Sequence, residues 1–291
     1  MKDITKKDIR NNLPLTAKKR ASHQTIVRIG DIEVGGHEFV IMAGPCAVES
    51  YEQTLEIACE IKKIGAQILR GGAYKPLTFP YRNQKTFELR QKGLDILKRV
   101  KNKVGIPVVT EVMDVRDVSN VSKAADILQV GSRNMQNFPL LIEIAKTKKP
   151  VLLKRHFGSS LRDWLGAAEY LLYYGNPNVI LCERGIVAPH THHPNSRFIV
   201  DLQVIPAVKE YTHLPIVVDP SHSTFRRQYV PAVARAAVAA GADGLLMDVH
   251  PIPYKAAVDP LQALNYGQFR KLKNELVKIY YILHPKMKFN V

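Results

Sequence analysis

A histidine ends one short apolar segment, at a position where it could bind a metal or transfer a proton. Residues 214–218 (Leu-Pro-Ile-Val-Val) predict a buried strand, and the tetrapeptide Asp219-Pro-Ser-His222 follows it directly. An imidazole is both a common metal ligand and an acid or base near neutral pH. His222 is therefore a candidate for either role, and one strand alone does not decide between them.

Five basic residues occupy comparable positions at or just after the ends of other predicted strands. They are Arg70, Lys75, Arg133, Lys154 and Arg184. Several like charges at one mouth are costly unless an anion neutralises them, and arginine binds phosphate and carboxylate with paired hydrogen bonds. We therefore expect a multiply anionic substrate, with two phosphates or a phosphate and a carboxylate. The alternative for each residue is an ordinary surface salt bridge.

A thiol, an imidazole and two carboxylates lie near the ends of the first, seventh and eighth predicted strands and in the last loop. They belong to Cys46, His222, Asp248 and Asp259. Closure of a barrel would make the first and eighth strands neighbours, and this mixture of ligands suits Zn²⁺, Fe²⁺ or Mn²⁺. The alternatives are that Cys46 is a small buried apolar residue and that His222 is structural.

General bases are less evident in the sequence. Glu111 follows the third predicted strand, where it could hold a water molecule or pair with one of the basic residues. Histidines also occur near predicted strand-end loops, at positions 156, 190, 192, 193 and 250. The run His190-Thr-His-His193 could form a second metal site, although a flexible loop is the simpler interpretation.

Short apolar, β-branched segments alternate with segments of helical periodicity along most of the chain. We predict eight strands, at residues 39–43, 67–70, 107–111, 127–130, 151–154, 179–182, 216–218 and 244–247. We predict eight helices, at about residues 50–64, 86–103, 115–124, 137–147, 160–174, 197–210, 227–240 and 260–282. Uninterrupted apolar strands are typical of parallel sheets covered on both faces. Eight such units in about 250 residues favour an α/β fold of the (β/α)8 TIM-barrel type.

An open Rossmann-like sheet is the alternative fold, but no GxGxxG motif follows the first strand. Enzymes built on (β/α)8 barrels carry their chemistry at the C-terminal ends of the strands. The basic residues and the candidate metal ligands are predicted to lie at that end. The barrel therefore explains how residues scattered along the chain could meet in one site.

The N-terminal part of the chain is expected to differ from the barrel. Residues 1–24 carry many basic side chains and predict a loose basic arm. Residues 25–34 alternate in polarity and predict a strand, with a turn at Gly35-Gly36 and a second run from His37 to Ala43. This short hairpin extension would lead into a barrel domain that spans residues 25–291.

The composition limits the class of protein. Hydrophobic residues make up 46% of the 291 residues, and no apolar run reaches the roughly 18 residues of a membrane span. The polar N-terminus does not resemble a secretory signal, so a cytoplasmic location is expected. The three cysteines form no Cys-x-x-Cys pair, which argues against a disulfide framework or a structural zinc site.

The formal net charge of +16 permits nucleic acid or anionic small molecules as partners. No basic stripe with interleaved aromatic residues is present, so the small-molecule interpretation is favoured. We expect neither nucleic acid nor a membrane as a partner.

Eight collinear motifs carry a resemblance to a known enzyme family. They are Ala43-Gly-Pro-Cys-Ala-Val-Glu-Ser50, Arg70-Gly-Gly-Ala-Tyr-Lys-Pro76, Gln129-Val-Gly-Ser-Arg-Asn-Met-Gln136, Leu152-Leu-Lys-Arg155, Ala167-Ala-Glu-Tyr170, Leu181-Cys-Glu-Arg-Gly185, Asp219-Pro-Ser-His222 and Gly241-Ala-Asp-Gly244. From about residue 25 to 270, the chain resembles the 3-deoxy-D-arabino-heptulosonate 7-phosphate (DAHP) synthases, in the branch shared with the 3-deoxy-octulosonate 8-phosphate synthases.

This resemblance implies a transferase on a (β/α)8 barrel. C3 of phosphoenolpyruvate would attack the aldehyde of erythrose 4-phosphate, water would add at C2, and phosphate would leave. The reaction opens the shikimate pathway of aromatic amino acid biosynthesis. The resemblance also implies a divalent ion (Mn²⁺, Fe²⁺, Zn²⁺ or Co²⁺), with Cys46 and His222 matching ligands and with Asp248 and Asp259 at the remaining ligand positions.

The resemblance implies roles for further residues. The implied catalytic residues are Lys75, Cys46 and His222. The implied substrate-binding residues are Arg70, Lys75, Thr78, Ser132, Arg133, Lys154, Arg184 and His222. The implied quaternary structure is a homo-oligomer, a dimer or a tetramer.

Several positions depart from the family pattern. Leu77 replaces the arginine of a Lys-Pro-Arg-Thr motif, and residues 187–190 (Val-Ala-Pro-His) replace an Arg-Thr element. Asp248 stands where the family usually has glutamate, and Asp259 lies in Val-Asp-Pro rather than Ser-Asp-Gly. The first two changes fall on the acceptor side, whereas the donor side matches the family.

These departures keep two alternatives open. One is a sister synthase for another phosphorylated aldose, such as arabinose 5-phosphate. The other is a weakened paralogue that binds phosphorylated ligands. Only about 35 residues precede the predicted barrel, so we expect no appended regulatory domain and no feedback inhibition by phenylalanine or tyrosine.

Overall fold

A computed structural model describes residues 5–76, 88–189 and 198–284, and eight of its strands close into a parallel barrel. The order around the barrel is β3-β4-β5-β6-β7-β8-β11-β12, and β12 pairs with β3 to close it. The barrel strands are β3 Val40–Gly44, β4 Ile68–Arg70, β5 Val108–Glu111, β6 Ile127–Val130, β7 Val151–Lys154, β8 Val179–Glu183, β11 Ile216–Val218 and β12 Gly244–Asp248. The predicted (β/α)8 barrel is confirmed, and each predicted strand is shifted by two residues or fewer at its ends.

Helices connect the barrel strands on the outside, as right-handed parallel crossovers require. The helices are α1 Lys6–Asn12, α2 Tyr51–Ile64, α3 Gln91–Val104, α4 Val118–Ala124, α5 Phe138–Lys146, α6 Leu161–Tyr173, α7 Val204–Tyr211, α8 Pro220–Thr224, α9 Val230–Ala239 and α10 Tyr266–Leu283. Short 3₁₀ helices cover Val115–Asp117, Ser132–Asn134 and Pro253–Lys255. No helix among the described residues is long and apolar enough to span a bilayer.

Three helix predictions begin at least five residues too early. The helix predicted at 86–103 starts at Gln91, and the structure gives a reason for each of the other two. The helix predicted at 197–210 starts at Val204, because Phe198 and Ile199 form a strand (β10) that pairs with Ile186–Val187 (β9). The helix predicted at 260–282 starts at Tyr266, where the side chain of Asn265 accepts the first capping hydrogen bond. The helical periodicity of the sequence continues through residues 198–203 and 260–265, which are not helical in the structure.

A hairpin closes the N-terminal end of the barrel. Strands β1 (Val27–Ile29) and β2 (Ile32–Val34) pair antiparallel, and their apolar side chains pack against the inward side chains of the barrel strands. The turn lies at Gly30-Asp31, where Gly30 has a left-handed φ of +59°. The single strand predicted at residues 25–34 is therefore wrong, because these residues contain both strands of the hairpin. The turn predicted at Gly35-Gly36 is present, with Gly35 at a left-handed φ of +84°, but it leads toward β3 and does not close the hairpin.

The N-terminal segment is ordered against the barrel, contrary to the predicted loose arm. Helix α1 begins with a capping box between Thr5 and Asp8, and it buries Ile9. Further along, the backbone N–H of Thr16 donates to Glu169 at 2.7 Å. Ala17 forms an antiparallel bridge with Thr212, the residue that follows α7. Residues 5–24 therefore form part of the outer layer.

Candidate active site

A cavity of about 230 Å³ opens at the C-terminal ends of the barrel strands. All five predicted basic residues line it, and so do one carboxylate and one imidazole of the predicted metal group. Its polar lining comprises Arg70, Lys75, Glu111, Gln129, Ser132, Arg133, Lys154, Arg184, His222 and Asp259. Closure of the barrel thus brings together residues that are more than 180 positions apart in the sequence.

The four predicted metal ligands form one compact group. Cys46, His222, Asp248 and Asp259 each offer a ligand atom, and these atoms all lie within 4.8 Å of one another. The Cys46 Sγ is 3.0 Å from Asp259 Oδ2 and 3.7 Å from His222 Nε2. The pairing of β12 with β3 explains the meeting, because it sets Asp248 opposite Gly44, two residues before Cys46.

Neighbouring side chains orient the ligands. The His222 Nδ1 lies 2.8 Å from Asp219 Oδ2, so its Nε2 faces the other three ligands. The Oδ2 of Asp248 accepts a hydrogen bond from Gln262 at 2.6 Å, and its Oδ1 lies 2.7 Å from Arg70. Partners of this kind fix the orientation of metal-binding side chains.

The donor set fits a divalent transition-metal ion. A thiol, an imidazole and two carboxylates combine the soft and borderline ligands that such ions prefer. Burial, opposed by Lys75 and assisted by the carboxylates of Asp259 and Asp248, raises the pKa of the Cys46 thiol to about 12. A bound cation has the opposite effect and lowers the pKa of a coordinating thiol, so that the thiol binds as a thiolate.

Arg227 holds the loop that carries Asp259. Its backbone N–H donates to the carbonyl of Leu261 at 2.8 Å, and its guanidinium donates to the carbonyls of Pro260 and Ala263 at 2.7 and 2.6 Å. Asp259 itself has a left-handed φ of +53°, which is uncommon for a residue with a side chain. The three bonds from Arg227 therefore stabilise a strained ligand loop.

Lys154 and the metal group share a buried carboxylate. The Lys154 Nζ lies 2.6 Å from Asp219 Oδ2, the same oxygen that approaches His222 Nδ1. Burial opposes ionisation of Asp219, but His222 and Lys154 hold its pKa well below its usual range. A single carboxylate thus ties the basic residues of the cavity to the candidate metal group.

The other predicted basic residues also approach the metal group or the cavity rim. The Lys75 Nζ is 3.0 Å from Cys46 Sγ, and one guanidinium nitrogen of Arg184 donates to the backbone carbonyl of His222 at 3.0 Å. Arg133 is exposed at the rim and donates to the carbonyl of Pro76 at 2.8 Å. Ser132 precedes it and lines the same cavity.

Glu111 is built into the cavity wall. It is buried, and Gln129 donates to its Oε2 at 3.1 Å. A Cβ at position 131 would lie only 2.0 Å from Glu111 Oε1, so any other residue there would have to displace the Glu111 carboxylate. This close approach of the backbone to Glu111 accounts for the glycine that precedes Ser132 and Arg133 in the Gly-Ser-Arg motif.

Several candidates lie away from the cavity. Arg155 is buried in ion pairs with Glu183 and Asp201, although it directly follows Lys154. His250 is buried against Gln53, at 3.0 Å. Thr78, Leu77 and the predicted second metal site at 190–193 lie outside the described residues.

Three supporting residues were missed from the sequence: Asp219 as the shared carboxylate, Gln262 and Arg227. Asp219 had a signal, because it opens the tetrapeptide that ends in His222 and caps the short helix α8. Gln262 and Arg227 had none, because nothing local marks a residue whose partner comes from another loop.

The fold and this site define a (β/α)8-barrel enzyme class that acts on anionic substrates beside a group able to hold a metal ion. The DAHP synthetase I family matches residues 13–283, and the chain belongs to that family. The resemblance predicted from the sequence motifs is thereby confirmed.

Named relatives agree with this assignment. The phospho-2-dehydro-3-deoxyheptonate aldolase of Thermotoga maritima is 42% identical over 265 residues, which cover 91% of this chain and 77% of that protein. A crystal structure of that DAHP synthase has a TM-score of 0.87 at 40% identity, covering 95% of this chain and 78% of the other. A 2-dehydro-3-deoxyphosphooctonate aldolase of Acidithiobacillus ferrooxidans is 32% identical, covering 88% of this chain and 95% of the relative.

Proposed function

We propose that this protein condenses phosphoenolpyruvate with erythrose 4-phosphate to form DAHP and inorganic phosphate. The main supporting observation is that Lys154 and His222 both contact one oxygen of Asp219, so a cation suited to bind an anion lies next to the candidate metal group. The 42% identity to a phospho-2-dehydro-3-deoxyheptonate aldolase, against 32% to an octonate relative, supports erythrose 4-phosphate as the acceptor.

The basic residues of the cavity would hold phosphoenolpyruvate. Lys154 and Arg184 line the cavity and are buried, whereas Ser132 and Arg133 line it with half-buried and exposed side chains. Charge-assisted hydrogen bonds to a phosphate and a carboxylate are stronger in such a buried site than in water. This arrangement would fix the donor with its reactive C3 toward the acceptor.

Cys46, His222, Asp248 and Asp259 would hold the divalent ion, for which Mn²⁺, Fe²⁺, Zn²⁺ and Co²⁺ all suit the donor set. When bound, such an ion supplies Lewis-acid polarisation of a carbonyl oxygen. The chain itself orients two of these ligands, through Asp219 on His222 and through Gln262 on Asp248.

Basic side chains of the cavity would donate the proton that the reaction needs and stabilise the departing phosphate. C3 of phosphoenolpyruvate forms a bond to the aldehyde carbon, and the aldehyde oxygen needs a proton to become a hydroxyl. The Lys75 ammonium, 3.0 Å from Cys46 Sγ, is placed to donate that proton. Water then adds its oxygen at C2 and gives one proton back to Lys75. The bond between C2 and the phosphate oxygen breaks as the new C2 hydroxyl becomes a carbonyl, and its proton leaves with the phosphate toward the side occupied by Lys154 and Arg184.

An acceptor screen tests this proposal. The purified protein is given phosphoenolpyruvate with erythrose 4-phosphate, arabinose 5-phosphate or ribose 5-phosphate, and phosphate release is followed together with the 3-deoxy sugar acid product. We expect the highest kcat/KM with erythrose 4-phosphate. A higher value with arabinose 5-phosphate would assign the chain to the sister reaction, and no phosphate release with any aldose would contradict a synthase altogether.

Metal removal gives a second test. Exhaustive chelation should abolish turnover, and each of the four divalent ions can then be added back to find which restores it. Full activity of protein that contains no metal by elemental analysis would contradict the metal proposal. Size-exclusion chromatography with light scattering tests the proposed dimer or tetramer.

A further inference from the structure

We propose that a pocket at the N-terminal end of the barrel binds a small molecule with two or more phosphate groups. The pocket, called the basic pocket here, has a volume of about 300 Å³ and lies between the N-terminal segment and α7. Its lining residues are Lys6, Arg10, Lys18, Arg20, Ala21, Lys209, Glu210 and Tyr211. Helix α7 ends just before β11 begins, so this pocket lies at the end of the barrel opposite the candidate active site.

The basic pocket has more cations than carboxylates to pair with them. Glu210 pairs with Lys6 at 3.0 Å, and Lys209 pairs with Asp243 at 2.6 Å. Five lining cations against these two carboxylates leave a net charge of +3. A concave surface of one sign concentrates counter-ions of the opposite sign.

Two arginines supply the hydrogen-bonding capacity for a ligand. Within the described residues, Arg10 and Arg20 form no ion pair, and they approach the pocket from α1 and from the segment after it. A guanidinium presents a planar fork that matches two phosphate oxygens at once. Two guanidiniums in one pocket therefore provide for a ligand with more than one phosphate group.

The wall that carries these cations is held in place before any ligand binds. The backbone N–H of Lys18 donates to the carbonyl of Tyr211 at 2.9 Å, and the Lys18 Nζ donates to the carbonyl of Lys209 at 2.9 Å. The hydroxyl of Thr212 donates to the carbonyl of Thr16 at 2.6 Å. Preorganisation of this kind reduces the entropic cost of binding.

The neighbourhood of the pocket is electrostatically positive. Burial lowers the pKa of His23, and the nearby charges of Lys19, Arg20 and Lys18 lower it further. The cations are gathered around one concave pocket, whereas nucleic acid requires an extended basic track along its backbone. A compact, multiply phosphorylated molecule is therefore the ligand class that the pocket fits.

Calorimetric titration of the full chain with inorganic triphosphate at 0.15 M salt tests this proposal, with phosphoenolpyruvate saturating so that the active site is occupied. The double variant Arg10→Ala/Arg20→Ala should raise the triphosphate Kd at least about tenfold, because each arginine provides charge-assisted hydrogen bonds. The matched control is Lys98→Ala/Lys103→Ala, which removes the same charge from the exposed face of α3. This control should change the Kd less than about twofold.

Three results would overturn the proposal. One is wild-type affinity in the double variant, and another is equal weakening in both double variants, which would indicate general surface charge. The third is displacement of triphosphate by a short DNA duplex at equal phosphate concentration, which would indicate a nucleic-acid surface. Melting temperatures of all variants should match the wild type, because Arg10 and Arg20 are exposed.

Discussion

The two halves of the barrel mouth differ in the balance of acidic and basic residues that they contain. On the half formed by β11, β12, β3 and β4, the acidic groups of Asp219, Asp248 and Asp259 surround Cys46 and His222. On the half formed by β5 to β8, three of the four charged residues that line the cavity are basic, although Arg70 and Lys75 add two basic residues to the first half. The first half thus contains a carboxylate-rich ligand group with its own supporting hydrogen bonds, whereas basic residues outnumber carboxylates on the second.

Asp219 joins the two halves. It extends from the end of β11, but its Oδ2 reaches Lys154 at the end of β7. The same oxygen orients His222, so we expect any change at Asp219 to affect both the candidate metal group and the proposed donor site. The comparison therefore predicts that variants fall into three kinds, which affect the metal group, the donor site or both.

The largest expected effect is on the metal half. Cys46→Ser should lower metal affinity by at least about 100-fold, because even supporting partners of a ligand contribute 10- to 100-fold. Turnover should fall with metal occupancy, measured by elemental analysis. The control Cys59→Ser changes an exposed cysteine and should leave both unchanged. Retained metal in Cys46→Ser would remove Cys46 from the ligand set.

The next effect should reach both halves. Asp219→Asn keeps the shape but removes the charge that Lys154 and His222 share, so we expect about 10- to 100-fold weaker metal binding. We also expect a KM for phosphoenolpyruvate at least about tenfold higher. Asp126→Asn is the control, because Asp126 pairs with Lys101 away from the cavity. A change in only one of the two constants would show that the halves are independent.

A smaller effect should be confined to the basic half. Arg133→Ala should raise the KM for phosphoenolpyruvate about tenfold, the loss of roughly 1.5 kcal/mol of charge-assisted hydrogen bonding. Metal content should not change, since Arg133 lies at the rim and contacts the carbonyl of Pro76. Arg116→Ala, in an exposed pair with Asp114, serves as the control. An unchanged donor KM would place Arg133 outside the donor site.

The smallest effect concerns the acceptor. Leu77 stands where the family pattern has arginine, and Leu77→Arg should lower the KM for erythrose 4-phosphate only a few-fold. Ordering an arginine side chain costs up to about 2 kcal/mol, which offsets most of a new charge-assisted hydrogen bond. The donor KM should not change. A higher acceptor KM in Leu77→Arg, with no such rise in Leu77→Ala, would mean that another residue has the role.

The sequence by itself determined the barrel and most of its mouth. Apolar runs of strand length, spaced by amphipathic helices, specify parallel strands that are covered on both faces. Because all such strands point the same way, the residues that follow them must meet at one end. Cys46, Lys154 and His222 could therefore be predicted to lie at the same end of the barrel without coordinates.

Only the tertiary structure decided which of two adjacent residues faces the cavity. Lys154 reaches Asp219 inside the mouth, whereas Arg155 turns away to Glu183 and Asp201. Arg227 likewise has no local signal for its bonds to the loop of Asp259. Side-chain direction at a strand end depends on barrel closure and on partners from distant segments, and a linear pattern of polarity contains neither.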